Sequence, residues 1–278
     1  MNKIRLIALD MDGTLVNDKK TVSARNLEAL RAAMSAGIYI VPATGRTSGT
    51  LPQELLSLPG IRYVISCNGA KVTDLKENRS LFSQNIPQPV MLDIMEKARD
   101  FDCVREVSVN DILYLAEDDD EKELSYVPPH YAPFMRVMRQ CTPSLNPVMA
   151  GASGGAEKLL IFFTHEKDKV RFREYLKQYE VEVSSSLSSN LEINAAGVSK
   201  GRALRALAEH LQLQPDELVA AGDSENDKTM LRYVGFPIAM GNALPEIQRM
   251  ARHVTLTCDE DGVAAAIEHI LRENGTAG

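Results

Sequence analysis

The segment Asp10-Met11-Asp12-Gly13-Thr14-Leu15 sets two carboxylates two residues apart, directly after the apolar run Ile4 to Leu9. In an extended segment residues i and i+2 point the same way, so Asp10 and Asp12 can face one cavity. Gly13 lets the chain turn sharply behind them. A bare Asp-Gly dipeptide reads as an ordinary turn. A calcium loop also begins D-x-D, but here a strand precedes it and its twelfth position is Thr21 rather than Glu. Two carboxylates at a buried strand end are costly without a function or a cation.

Three further segments share this placement at a strand end or a helix start. In Ala43-Thr44-Gly45-Arg46 a hydroxyl and a glycine N–H can bind phosphoryl oxygens. In Val198-Ser199-Lys200-Gly201 the serine suits a helix N-cap, yet Lys200 in the first turn opposes the helix dipole. Broken local rules of this kind concentrate at functional sites. In Gly222-Asp223-Ser224-Glu225-Asn226-Asp227, Asp223 can coordinate Mg²⁺ while Asn226 and Asp227 orient the groups around it. Each segment alone has a plain structural reading: loop, exposed lysine, or helix N-cap. Their coincidence favours a site.

The elements that must position these residues follow from the pattern. Ile4–Leu9, Ile38–Val41 and Tyr63–Ser66 are short apolar runs separated by helical spacing, notably Leu27, Leu30 and Met34 in Thr21–Ala36. That order predicts parallel pairing with right-handed crossovers. The rhythm returns with a helix through Ala203–Leu211, a strand at Leu218–Ala221, a helix at Thr229–Tyr233, a strand at Pro237–Met240 and a helix at Gly262–Leu271. The two halves, residues 1–83 and 191–278, predict one doubly wound, Rossmann-like α/β core. Residues 84–190 differ in character and predict an inserted α+β module. Strands are expected there at Ile112–Ala116, Lys158–Phe163 and Val181–Ser185, with a helix at Val170–Tyr179. The acidic run Glu117–Glu123 reads as a solvated loop.

Bulk composition narrows the function. The 278 residues carry a net charge of −7 and no long basic run, which argues against nucleic acid or an anionic membrane as partner. No stretch approaches the ~18 apolar residues that span a bilayer. The apolar start is short, broken by Arg5 and ends at Asp10 without a cleavage site, so it reads as a strand rather than a leader. Cys67, Cys103, Cys141 and Cys258 show no ligand spacing and read as reduced thiols of a cytoplasmic protein.

The four segments resemble the four motifs of the haloacid dehalogenase-like hydrolase superfamily. Asn68-Gly69-Ala70, Glu192-Ile193, Ala239-Met240-Gly241-Asn242-Ala243 and Glu260-Asp261-Gly262-Val263-Ala264 are similar to its Cof-type branch. Lys228 departs from that pattern, where an apolar residue is usual. The resemblance implies a C2-type cap over residues 84–190 and a Mg²⁺-dependent phosphatase of small phosphorylated metabolites, sugar phosphates by class. It further implies Asp10 as nucleophile, Asp12 as general acid and base, and Mg²⁺ on Asp10, Asp223 and the Asp12 carbonyl. By the same resemblance Thr44, Gly45, Lys200 and Asn226 hold the phosphoryl group and Asp227 supports them. Cap closure would exclude water and contact the leaving group, with His130 and Tyr131 as candidate contacts. Two rivals stand beside this reading. A phosphomutase would release no free phosphate, and a non-catalytic phospho-ligand sensor needs neither an inserted module nor Asp12. The oligomeric state is left open.

Overall fold

The structure is a computed structural model that describes residues 3–126, 129, 132–185 and 187–275, with Phe134 by its backbone alone. His130 and Tyr131 lie outside the described residues. The chain divides into two compact units: Met1–Gly45 with Leu51–Phe82 and Ser199–Gly278, and Arg46–Thr50 with Ser83–Val198.

The first unit is built on a parallel sheet in the order His253–Val254, Phe236–Ala239, Leu218–Gly222, Leu6–Leu9, Tyr39–Pro42. Every residue of Leu6–Leu9 and Leu218–Gly222 is buried, as strands covered on both faces require. Leu9 lies opposite Ala221 on one side and Pro42 on the other, so three strands end at one level. Leu6–Leu9 is followed in sequence by the strand on one side and later flanked by Leu218–Gly222 on the other. That is the switch point at which doubly wound sheets open a crevice.

Helix Ala24–Ser35 starts at the N-cap Ser23, whose side chain accepts from Asn26 N at 3.0 Å. It packs beside helix Gly262–Glu273, and buried Asn26 Oδ1 accepts from Ala264 N at 2.8 Å. Helix Lys200–His210 begins after the N-cap Ser199 and buries Ala203, Leu204, Leu207 and Ala208. Tyr63–Ser66, expected as a parallel strand, packs beside Tyr39–Pro42 and meets its extension through a parallel bridge between Ala43 and Ile65. On its other edge it pairs antiparallel with Lys71–Asp74, because positive-φ residues at 67–69 reverse the chain immediately after it.

The second unit holds a six-stranded sheet in the order Val181–Ser184, Asn190–Ala195, Lys158–Phe163, Cys103–Val109, Ile112–Ala116, Gln140–Thr142. It is antiparallel except for its last pair. Asn190–Ala195 thus belongs to this sheet, whereas the sequence division placed residues from 191 onward in the core. Helix Glu166–Leu176 begins and ends a few residues before the Val170–Tyr179 expectation. Ser48 N donates to Asp111 Oδ1 at 2.9 Å, which ties the short segment Arg46–Thr50 to this unit. One sheet face carries Val104, Leu115, Leu160 and Phe162 under Tyr126 and Met135.

The acidic run is not a solvated loop. Asp120–Leu124 is helical and Glu123 is fully buried, paired at 2.6 Å with the equally buried Arg139. Arg139 also holds Asp120 at 2.7 Å. Burial, and then the neighbouring Glu123, push the Glu106 carboxyl well above the usual carboxylate range. Burial pushes Glu123 from 4.5 up to about 7 against the pull of Arg139. Among the described residues Cys67, Cys103, Cys141 and Cys258 form no disulfide. Among the described residues no helix is long and apolar enough to cross a membrane.

A carboxyl whose folded pKa is raised contributes stability below its unfolded pKa and loses it as pH climbs through the folded one. For Glu123 the loss spans the interval from 4.5 to about 7. The thermal midpoint should therefore fall between about pH 5 and about pH 8, and the Glu123→Gln variant, which keeps an acceptor for Arg139, should show a flatter profile. Identical pH profiles of the two proteins would contradict the buried titration.

Candidate active site

Asp10 is locked at the end of its strand, with its N–H donating to Ala221 O at 3.0 Å. The chain then doubles back: Gly13 N donates to Val16 O at 3.2 Å and Val16 N to Met11 O at 2.8 Å. Gly13 has φ +83°, and a Cβ there would fall 2.7 Å from Asp223 Oδ2, so any other residue is both strained and obstructed. Thr14 Oγ1 donates to Asp223 Oδ1 at 3.1 Å, interlocking the first acidic loop with the last.

Lys200 is fully buried, although a lysine seldom is without partners. Its Nζ lies 2.5 Å from Asp10 Oδ1 and 2.7 Å from Asp227 Oδ1. The opposition to the helix dipole noted in the sequence is thereby explained, since two carboxylates outweigh it. Burial pulls the Lys200 pKa down, but Asp10 and Asp227 more than offset this and hold it above its ordinary value. Asp227 in turn accepts through Oδ2 from the backbone N–H groups of Asp223 and Ser224, each at 3.0 Å.

Burial, followed by repulsion from Asp227, drives the Asp10 carboxyl well above the usual range. Asp223 is raised for the same two reasons, in the same order. Asp10, Asp223 and Asp227 each offer an oxygen within 4.8 Å of the others. Three carboxylates face one ammonium, and Asp10 Oδ2 is buried without a hydrogen-bond partner. The donor set is all oxygen and its charge surplus is negative, which fits a hard divalent cation such as Mg²⁺.

The remaining residues singled out in the sequence fall around this group. The exposed Asp12 side chain pairs with Lys20 at 2.9 Å. Thr44 is buried, its N–H donating to Ile65 O and its carbonyl accepting from Asn68 N, both at 2.9 Å. Asn226 is exposed, and its Nδ2 donates to Asn68 Oδ1 at 3.4 Å. Sequence reasoning assigned no role to Lys20, Asn68 or Asn242. Asn242 Nδ2 donates to Gly13 O at 2.8 Å and its Oδ1 accepts from Cys258 N at 2.9 Å, bracing the Gly13 turn. The segments carrying Asn68 and Asn242 stood out as similar to a family pattern, whereas Lys20 left no such signal.

A parallel sheet ending in these acidic loops, with a separate sheet inserted into the chain, defines a haloacid dehalogenase-type phosphotransferase fold. The model of the haloacid dehalogenase-like hydrolase family matches residues 7–267, and the chain belongs to that family. It is 32% identical over 277 residues, 96% of this chain and 95% of the other, to the 5-amino-6-(5-phospho-D-ribitylamino)uracil phosphatase YcsE of Bacillus subtilis. It is 33% identical over 293 residues, covering 96% of this chain and 100% of the other, to phosphatase YwpJ of the same organism. A haloacid dehalogenase-like hydrolase from Bacteroides thetaiotaomicron superposes with a TM-score of 0.85 at 30% identity, covering 96% and 100% of the two chains. The chain is accordingly a phosphatase of the Cof-type branch.

Removing one partner of a buried ion pair strands the other charges, at about 3–5 kcal/mol. Lys200→Met should lose stability of that order in urea denaturation, whereas Lys20→Met, at an exposed pair, should lose about 1 kcal/mol or less. Comparable losses in the two variants would mean that Lys200 is not the charge on which the site is assembled.

Proposed function

We propose that this phosphatase hydrolyses phosphate monoesters of small hydroxylated metabolites through an aspartyl-phosphate on Asp10, with Mg²⁺ as cofactor. The observation that carries the reading is the buried Asp10 carboxylate, held at Oδ1 by Lys200 and bare of donors at Oδ2. Asp10 and Asp223, with the Asp12 carbonyl, would hold the cation. Once bound, it neutralises carboxylate and phosphoryl charge that would otherwise repel attack.

In the first half-reaction the Asp10 carboxylate attacks phosphorus and the bond to the leaving oxygen breaks. Asp12 gives its proton to that oxygen. In the second half a water attacks the same phosphorus, Asp12 takes its proton, and the bond to Asp10 breaks to release inorganic phosphate. The exposure of Asp12 suits a group that must exchange protons with solvent-borne species, and Lys20 holds its carboxylate in place between steps. Lys200 offsets the charge of Asp10 and of the phosphoryl oxygens. Thr44, Gly45 and Asn226 donate to those oxygens, and Asp227 keeps Lys200 and the Asp223 loop in register.

The substrate class rests on likeness. One relative is named for a phosphoribityl compound, whose leaving group is a polyol, and this chain is assigned a sugar or polyol phosphate by that similarity. In the same reading the unit around Ser83–Val198 is the cap that selects the leaving group. The wide scatter of the four cysteines along the sequence supports a reducing, cytoplasmic setting.

Inorganic phosphate released from a panel of sugar and polyol phosphates tests the assignment. Release should require Mg²⁺, stop with EDTA and vanish in Asp10→Asn and Asp12→Ala without loss of fold. Phosphoryl return to the sugar with no free phosphate would point to a mutase, and turnover by Asp10→Asn would remove the nucleophile.

A further inference from the structure

Tyr63–Ser66 runs into three consecutive residues with positive φ: Cys67 at +51°, Asn68 at +60° and Gly69 at +97°. Glycine adopts this region freely and asparagine tolerates it, but for a cysteine it is strained. Such strain persists only where the surroundings over-determine the backbone, and it collects at functional sites.

The surroundings tie this turn to three other loops of the same unit. Asn68 N donates to Thr44 O while Thr44 N donates to Ile65 O, both at 2.9 Å, so the turn is stitched to Thr44 from both sides. A Cβ on Gly69 would fall 2.3 Å from Ser199 O and 2.8 Å from Lys200 N, which places the turn directly on the start of the Lys200 helix. Asn68 Oδ1 lies 2.8 Å from the point where a Cβ on residue 45 would stand, and it accepts from Asn226 Nδ2 at 3.4 Å. One carboxamide therefore sits against the Gly45 backbone and the Asn226 side chain, on a turn pressed onto Lys200.

We propose that Asn68 is a positioning residue for phosphoryl transfer, fixing the Gly45 backbone and the Asn226 amide relative to Lys200. The proposal rests on the phosphatase reading above, because it acts through groups assigned there. The rival is that Asn68 serves only to form the turn. Asn68→Gly separates the two: glycine adopts the +60° φ without strain, so the turn is kept while the carboxamide is lost.

The full chain with Mg²⁺ is assayed on p-nitrophenyl phosphate, and backbone hydrogen exchange is followed by mass spectrometry in parallel. For Asn68→Gly the thermal midpoint should stay within about 2 °C of the parent, while kcat falls at least about tenfold and KM moves by less than about threefold, as expected when positioning alone is lost. Peptides covering Thr44–Gly45 and Asn226 should exchange faster, with Leu6–Leu9 unchanged. Parent-like kcat with parent-like exchange overturns the proposal in favour of a turn-former. A fall in kcat with unchanged exchange also overturns it, because Asn68 would then act by direct contact. If the parent protein hydrolyses no ester with Mg²⁺, the phosphatase reading fails separately, and exchange alone decides: faster exchange supports the positioning role and unchanged exchange overturns it.

Discussion

The buried Lys200 ammonium, shared between Asp10 and Asp227, is the interaction on which the rest of the site depends. An unpaired charge in that position would be too costly to keep, so the two carboxylates must arrive together and stay. Their arrival is arranged by backbone. Asp10 is held by the strand next to it, and Asp227 by the N–H groups of Asp223 and Ser224. Gly201 N donates to Thr229 Oγ1 at 3.0 Å, bringing the helix that carries Lys200 against the one that follows Asp227. The Lys200 site is thus a consequence of where two helices start relative to two strand ends.

A parallel sheet makes such convergence inexpensive. Its strands all finish on one side, and here Leu9, Ala221 and Pro42 lie abreast. Residues just beyond them (Asp10, Asp223 and Thr44) fall at one level without any long loop. The local reversals differ in kind. At Gly13 a single glycine turns the chain beside Asp223, whereas after Ser66 the turn uses a strained Cys67. Backbone strain in the second case is offset by the number of loops that the turn gathers.

Legibility in the sequence followed the range of the physics involved. Buried strands read directly from apolar runs, so Tyr63–Ser66 and Lys158–Phe163 appear with their expected bounds. Helix ends were less visible: Ala24–Ser35 starts later than Thr21, because Ser23 rather than Thr21 provides the cap. The acidic residues of the site were legible because each follows a strand, and Lys200 because it contradicts the helix dipole. The pairing of Lys20 with Asp12 was not legible. It depends on a loop conformation with Lys20 at φ +61°, which no periodicity encodes. Glu123 was read as solvated because composition shows a run of acids but not the Arg139 that folding brings under it. Partner identity across a fold is a tertiary fact, and charge patterning alone cannot carry it.

The two units bury acidic groups by different means, and the difference bears on chemistry. In the inserted unit Glu123 meets Arg139 at close range, and burial raises the carboxyls of Glu106 and Glu123, which favours their neutral forms. In the core two of three clustered carboxylates, Asp10 and Asp227, share one ammonium, and the raised Asp10 and Asp223 carboxyls mark a surplus of negative charge. On the proposed reading, protonation there would silence the Asp10 nucleophile, since only the carboxylate attacks. A site that must keep its charge and yet stay buried needs a positive charge that comes with the reaction rather than a proton. A divalent cation would meet that condition, and on the proposed reading it would separate the core cluster from the proton-neutralised one of the inserted unit.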